Sequence, residues 1–137
     1  MLKTVDGTER KLTRNQRLVL SVLESAEQPL SAYRILDNLR QEGLKAPLQV
    51  YRALDRLMDM GRVHRLESLN AFVVCTHACN GQVHRHFTAF QICDACGHVE
   101  EFHDDLIERE LLRHALKTGF SIRNSTIELR GVCRKCQ

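Results

Sequence analysis

Apolar residues in the first half of the chain recur at helical spacing in successive segments separated by helix-stop signals. The first segment begins at Thr13, which forms a capping-box pattern with Gln16, and it ends before Pro29. The second segment is capped by Ser31 and ends before Gly43, a residue suited to the left-handed conformation after a helix. The two segments predict two helices.

A third helix is predicted to open at Pro47, since proline is favoured at the first helical position. Val50, Leu54, Leu57 and Met58 then fall on one apolar stripe at helical period. Such a stripe indicates that one face of this helix packs into a core.

Two strand-like runs follow, at residues 63–67 and 71–75, and the turn-forming residues 68–70 separate them. Three helices followed by a hairpin are typical of a winged helix-turn-helix. We therefore predict a DNA-binding winged-helix domain over residues 1–75.

The rest of the chain has a different character. Residues 76–86 show no sustained period and are predicted to be a hinge. Residues 87–137 then alternate strand-like and helical runs, which predicts a second, α/β domain and an α+β fold class for the whole chain. The predicted elements are a strand at 87–92, a Cys-x-x-Cys-Gly turn, a strand at 98–102, a helix from Asp104 or Asp105 to Gly119, and a strand-like run at 120–132.

Length and composition fit one large or two small globular domains. The chain has 137 residues, of which 43% are hydrophobic and 5% aromatic. Its apolar runs are shorter than the roughly 18 residues that a membrane helix needs, and the first dozen residues lack the apolar region of a signal peptide. We expect a cytoplasmic protein with no membrane partner.

Charge is unevenly divided along the chain. Residues 1–66 carry 12 basic and 8 acidic side chains, whereas residues 67–137 carry 8 and 9. The basic half is suited to a polyanion such as DNA, although a solvated helical surface explains a bias of this size equally well.

All six cysteines and all seven histidines lie at or beyond residue 64. Because reductants in the cytosol keep thiols reduced, the even number of cysteines indicates metal binding more than disulfides. The strongest pattern is a pair of Cys-x-x-Cys motifs, which predicts a closed, tetrahedral structural zinc site. Its ligands are Cys93, Cys96, Cys133 and Cys136.

Two alternatives compete with a structural zinc site at these motifs. A thioredoxin-like redox pair opens a helix after a strand, and neither motif is predicted to do so. Two separate disulfides remain the other alternative.

A second group of metal-ligating residues surrounds the hairpin, the hinge and the next two strands. Their spacing alone does not select four ligands. A site of one thiolate, two imidazoles and one carboxylate favours zinc over iron(II) or manganese, whereas affinity order does not exclude copper or nickel. The candidates are His64, Cys75, His77, Cys79, His84, His86, His98, Glu100, Glu101 and His103.

The third helix is the candidate for DNA recognition, because a helix fits the major groove. Arg52 and Arg56 lie one turn apart on its polar face, and Gln49 and Tyr51 flank them. The alternative is that these arginines form surface ion pairs with the acidic residues of the same helix.

Two further classes of function compete with DNA binding. A zinc hydrolase needs an open coordination position and a general base, and His64, His86 and Glu101 resemble such a set. No substrate-sized glycine-rich or nucleophile motif accompanies them, so we predict neither an enzyme nor a small-molecule substrate. The second class is a zinc-bound interaction module without sensing.

Taken together, these motifs resemble the ferric uptake regulator family over nearly the whole chain, and most closely its zinc uptake branch. The motifs that carry the resemblance are LTRNQRLVL (12–20), PLSAYRIL (29–36), VYRALDRL (50–57), GRVHRLESLNAFVVC (61–75), HFTAFQICDACGHVEEF (86–102) and CRKC (133–136).

The resemblance implies a zinc-responsive repressor of zinc uptake genes that binds operator DNA as a homodimer. It implies about two zinc ions per protomer, one structural on the four cysteines and one regulatory. For the regulatory zinc it implies the ligands His64, Cys75, His86 and Glu101. It places DNA contacts on Tyr33 and Arg52.

The chain departs from the family pattern at several positions. Gln49 stands where many members have threonine, and Arg14 stands where proline is usual. The additional hinge residues His77, Cys79 and His84 leave open a different ligand set or an extra metal site. An iron, manganese or peroxide sensor of the same family is the alternative function, and Cys75 is the residue that distinguishes it. Whether dimers pair on DNA is left open.

Overall fold

The structure is a computed structural model, and it describes residues 11–76 and 87–137. It divides the chain into two compact units, Met1–Val83 and His84–Gln137. The division falls within the segment predicted as the hinge. The residues of that segment from 77 to 86 lie outside the described part of the chain.

Three helices form most of the first unit: α1 (Arg14–Ser25), α2 (Ala32–Leu39) and α3 (Pro47–Asp59). The predicted starts of α1 and α2 are confirmed. The Thr13 hydroxyl accepts from the Gln16 backbone N–H, and the Gln16 side chain accepts from the Thr13 N–H. A short 3-10 turn, Arg40–Glu42, follows α2, and Gly43 ends it with a left-handed φ of 100°.

The wing is an antiparallel hairpin of β1 (Val63–Leu66) and β2 (Ala71–Val74). Leu30, between α1 and α2, adds a bridge to Phe72 with hydrogen bonds of 3.1 and 2.8 Å in the two directions. The sequence analysis did not predict this bridge. It ties the wing to the segment between the first two helices.

A single apolar cluster holds the first unit together. Val50, Leu54 and Leu57 of α3 are fully buried, as the predicted stripe requires, whereas Met58 is only partly buried. Burying a side chain of this size contributes about 1.5–3 kcal/mol. Because the apolar face of α3 is buried in this core, its opposite face is the one exposed to solvent.

The second unit contains a mixed three-stranded sheet and one helix. The strands are β3 (Phe87–Cys93), β4 (Val99–Phe102) and β5 (Ser125–Gly131), and α4 (Asp105–Thr118) connects the last two. The order is β4-β3-β5, with β3 antiparallel to β4 and parallel to β5. The two units have the predicted α+β architecture.

The final strand is shorter than predicted. The strand-like run was expected from residue 120, but β5 begins at Ser125. Gly119 caps α4 with a φ of 70°, and the Phe120 N–H bonds back to the Ala115 carbonyl at 2.8 Å. The helix cap therefore uses residues that an alternating pattern alone assigns to the strand.

Candidate functional site

The parallel pairing of β3 with β5 brings the two Cys-x-x-Cys motifs together. Cys93 is the last residue of β3 and lies opposite Gly131 at the end of β5. The first half-site, Cys93 and Cys96, occupies the turn after β3. The second half-site, Cys133 and Cys136, lies just beyond β5, in and before a short 3-10 helix (Arg134–Cys136).

The sulfur geometry fits one tetrahedral ion. The four Sγ atoms all lie within 4.8 Å of one another, and those of Cys96 and Cys133 are 3.8 Å apart. A tetrahedron with Zn–S bonds of about 2.3 Å has S···S edges of about 3.8 Å. None of these four cysteines is in a disulfide, and a turn and then β4, not a helix, follow the first half-site. The two alternatives to a zinc site, a redox pair and two disulfides, are therefore not what the structure shows.

Backbone amides create an uneven electrostatic environment for the four sulfurs. The N–H groups of Cys133 and Cys96 donate to Cys93 Sγ at 3.3 and 3.4 Å, and these bonds lower the pKa of Cys93 from 9.0 to about 6. The neighbouring side chains of Cys133 and Cys96 raise the pKa of Cys136 to about 12. The Cys93 thiol is therefore readily deprotonated, whereas the Cys136 thiol loses its proton only when a metal cation replaces it.

A second pair of metal-ligating residues lies on the wing. His64 is on β1 and pairs with Val73, and Cys75 follows β2, with its N–H donating to the Arg62 carbonyl at 2.9 Å. Alternation along the two strands places His64 and Cys75 on one face of the hairpin. Their ligand atoms lie within 4.8 Å of each other.

The other two predicted regulatory ligands belong to other segments of the chain. Glu101 is a half-buried residue of β4 in the second unit, opposite Phe90 in the ladder. His86 lies outside the described residues, as do His77, Cys79 and His84.

His103, another candidate ligand, lies beside two carboxylates, and its ligand atom and those of Asp105 and Glu108 lie within 4.8 Å of one another, so this group could hold a metal ion. Its Nε2 lies 2.9 Å from Glu108 and its Nδ1 lies 3.4 Å from Asp105, so both ring nitrogens face carboxylates at the start of α4. The ring packs edge-on against Phe87, with centroids 5.6 Å apart. These contacts join α4 to β3, a role that the sequence analysis did not find.

The exposed face of α3 presents Tyr51, Arg52 and Arg56 to solvent. In the described part of the chain, neither arginine forms the ion pairs with Asp55 or Asp59 that the alternative interpretation required. Tyr33, on α2, has 61% of its surface exposed. Four of the five predicted DNA-contacting side chains are therefore exposed, and the fifth, Gln49, is half-buried.

Gln49 has a contact that the sequence pattern did not indicate. Its Oε1 accepts from the backbone N–H groups of Lys45 and Ala46, at 2.9 and 3.1 Å. It thereby satisfies amides at the entrance of α3, where Ala46 has no side-chain acceptor. Glutamine stands here where many family members have threonine. Its side-chain oxygen is engaged in capping α3.

None of the helices in the described residues is long and apolar enough to cross a membrane.

Comparison with known proteins gives consistent matches. The model of the Ferric uptake regulator family matches residues 8–130. The zinc uptake regulation protein of Escherichia coli (strain K12) is 39% identical over 127 residues, which are 92% of this chain and 72% of that protein.

Two solved structures are similar throughout their folds. A crystal structure of holo XcZur has a TM-score of 0.82 and 41% identity, with 94% of this chain and 89% of that chain covered. A zinc uptake regulator complexed with zinc and DNA has a TM-score of 0.85 and 38% identity, with 95% and 87% covered.

Proposed function

The chain belongs to the ferric uptake regulator family, and within it to the zinc uptake regulators, which are transcription regulators and not enzymes; on that basis we propose that it is a zinc-responsive repressor. In this proposal a zinc-loaded homodimer binds operator DNA and controls zinc uptake genes. The observation that carries it is the His64–Cys75 pair, because it puts a borderline and a soft ligand on the wing of the DNA-binding unit itself.

The structural zinc of this proposal is held by the two half-sites. Four thiolates form a closed site with no position for a substrate. An ion there fixes the end of β5 to the end of β3, and for so small a unit metal binding supplies much of the folding free energy. The S···S distance of 3.8 Å and the N–H···S bonds support this assignment.

The regulatory zinc is proposed to bind His64, Cys75, His86 and Glu101. The first two residues are supported by their proximity on the wing, and the others by the family resemblance. These ligands come from the wing, the predicted hinge and β4, so one ion held by all of them restricts the motion of three segments of the chain. The thiolate of Cys75 favours zinc over iron(II) or manganese.

The DNA interface is proposed to consist of Tyr33, Gln49, Tyr51, Arg52 and Arg56. A helix of this kind lies in the major groove, where arginine pairs with guanine and also contacts phosphates. The exposure of Arg52 and Arg56 supports this role. Because the Gln49 oxygen caps α3, its amide N–H₂ is the group that it offers to DNA.

Homodimerisation is supported by the apolar surface of the second unit. Within the described residues only Ala115 of α4 is fully buried, whereas Leu112, Leu116 and Phe120 repeat every four residues and are exposed. Leu129 and Val132, on and after the edge strand β5, are also exposed. A large exposed apolar area is typical of a protein interface, and a second copy supplies the same surface by two-fold symmetry.

In the proposed mechanism zinc acts as corepressor. A dimer binds tightly only when its recognition helices match half-sites about 34 Å apart or a multiple of that distance. Zinc binding restricts the angle between the two domains to the value at which the recognition helices match the half-sites. An effector of this type typically contributes about 1–3 kcal/mol of coupling, or about 5- to 150-fold in affinity.

The test begins with zinc content per protomer during graded chelation, measured beside a dimer assay. We expect about two zinc ions, the first leaving while the dimer survives. Operator duplexes selected from a random pool are then titrated with protein at fixed free zinc, iron(II) or manganese. Zinc should raise the affinity of the protein for the operator, whereas iron(II) and manganese should not.

Matched serine variants locate the sensor. Cys75→Ser should keep the dimer and the structural zinc but lose the zinc response, whereas Cys79→Ser, the same chemical change in the hinge, should retain it. Operator affinity that is equal with and without zinc contradicts the switch. A response lost in Cys79→Ser instead contradicts the proposed ligand set, and a response to iron or manganese establishes the alternative function.

A further inference from the structure

An ion pair joins the turn of the first half-site to the last strand of the sheet. Arg130, on β5, donates from Nε and from a terminal nitrogen to one carboxylate oxygen of Asp94, at 2.9 and 2.6 Å. Asp94 lies between Cys93 and Cys96. The two side chains are 46% and 47% exposed, so they are accessible but partly shielded by the sheet.

Backbone contacts surround this ion pair. The Asp94 N–H donates to the Gly131 carbonyl at 2.7 Å, and Cys93 pairs with Gly131 in the parallel ladder. Two residues later the Cys133 N–H reaches Cys93 Sγ. The Asp94–Arg130 ion pair thus adds a side-chain contact to the backbone contacts that already join the two half-sites.

We propose that Arg130 is a positioning residue for the structural zinc, and that with Asp94 it forms a latch holding the second half-site against the first. The inference rests on the proposed tetrathiolate zinc site and goes beyond it by assigning the retention of the ion to residues outside the ligand set. Its predicted consequence is kinetic: the latch slows zinc loss.

The physical reason lies in the length of chain between the half-sites. Cys96 and Cys133 are 37 positions apart, so a half-site that leaves the ion faces a large closure entropy before it returns. A latch that keeps the ends of β3 and β5 together maintains a high effective concentration of the released thiolates. Rebinding is then faster than escape of the ion.

Arginine suits this role better than lysine. Its guanidinium stays charged at all relevant pH values and presents several donors in a fixed plane, two of which point at Asp94 here. Lysine has one flexible ammonium group. Arg130→Lys should therefore retain part of the latch, and Arg130→Ala none of it.

The test measures release of the most slowly lost zinc from the full-length, zinc-loaded protein to an excess of a chromogenic chelator. Arg130→Ala should release it about two- to fivefold faster than wild type, the range expected for an exposed ion pair, with Arg130→Lys between the two. The matched control is Arg113→Ala, which removes an equally short ion pair with Glu110 on α4, away from the cysteines, and should release zinc at the wild-type rate.

Two readouts separate a latch from a general loss of stability. High salt should accelerate release from wild type but not from Arg130→Ala, because it screens a charge pair that only wild type has. In a double-mutant cycle, Asp94→Ala combined with Arg130→Ala should be no faster than either single variant. The cobalt(II)-substituted proteins should keep one absorption spectrum, since the four thiolates are unchanged.

Release at the same rate from Arg130→Ala and Arg113→Ala overturns the latch. Additive effects of Asp94→Ala and Arg130→Ala overturn the pairing as its basis. If wild type holds no chelator-resistant zinc, the proposed structural site fails and the latch fails with it, a result distinct from zinc that is held but released at equal rates.

Discussion

At the scale of single residues, the four cysteines differ because their sulfurs receive different hydrogen bonds. Cys93 accepts N–H groups from both half-sites, and its pKa falls to about 6, whereas neighbouring cysteines raise the pKa of Cys136 to about 12. The spacing of the motifs predicted that the sulfurs meet. It did not predict that the Cys133 amide also donates to Cys93, since this contact depends on the end of a strand many residues away.

The low pKa of Cys93 makes the zinc-free fold sensitive to pH. A thiol whose folded pKa is about 6 and whose ordinary value is 9.0 binds fewer protons folded than unfolded between those two values. We therefore expect the stability of the reduced, zinc-free protein to rise from pH 6 to pH 9 and to be lost as the pH falls through about 6. Urea unfolding at a series of pH values measures this contribution as the difference between wild type and Cys93→Ser. A constant difference across the range contradicts it.

Arg52 is the residue on which DNA binding should depend most. Arg52→Ala should weaken operator binding by about 1–3 kcal/mol if the side chain pairs with a base, and leave zinc affinity unchanged. Arg109→Ala, which removes an exposed arginine from α4, serves as the control for lost charge. Fluorescence anisotropy at several salt concentrations measures the operator affinity of both variants and its dependence on salt. Loss of a phosphate contact alone lowers the slope of that salt dependence by about 1. Unaltered operator affinity in Arg52→Ala removes this residue from the interface.

At the scale of helices and strands, the sequence predicts where α1 and α2 begin but not every contact that the elements make. Thr13 and Ser31 predicted helix starts because a cap involves residues only three positions apart. The bridge from Leu30 to Phe72 was missed, since nothing near Leu30 encodes a partner so far along the chain. The capping role of Gln49 was missed because its pattern resembled that of a DNA-reading residue.

The start of α3 offers a direct test of that role. Gln49→Ala leaves the Lys45 and Ala46 N–H groups without their side-chain acceptor and should destabilise the first unit by about 1 kcal/mol. Gln49→Glu keeps an acceptor and places a negative charge at the helix N-terminus, so it should remain at least as stable as wild type. Urea unfolding compares the two. Equal stability of all three proteins would show that the cap contributes nothing.

At the scale of the whole molecule, operator recognition should require two protomers. Leu116 is 81% exposed in the centre of the apolar set on α4, and Leu116→Arg places a charge there that cannot be buried without cost. We expect sedimentation to show monomers that retain the structural zinc and have lost tight operator binding. A Leu116→Arg dimer with normal affinity would move the interface away from α4.

The position of β3 in the centre of its sheet also sets the order in which the protein is completed during synthesis. Its antiparallel partner β4 follows within a few residues, but its parallel partner pairs Cys93 with Gly131, after the whole of α4. On the ribosome the first unit can therefore fold while the second is still a two-stranded fragment, because non-local pairings are the slow ones. The proposed DNA-binding surface is therefore synthesised in full before the two cysteine pairs can meet.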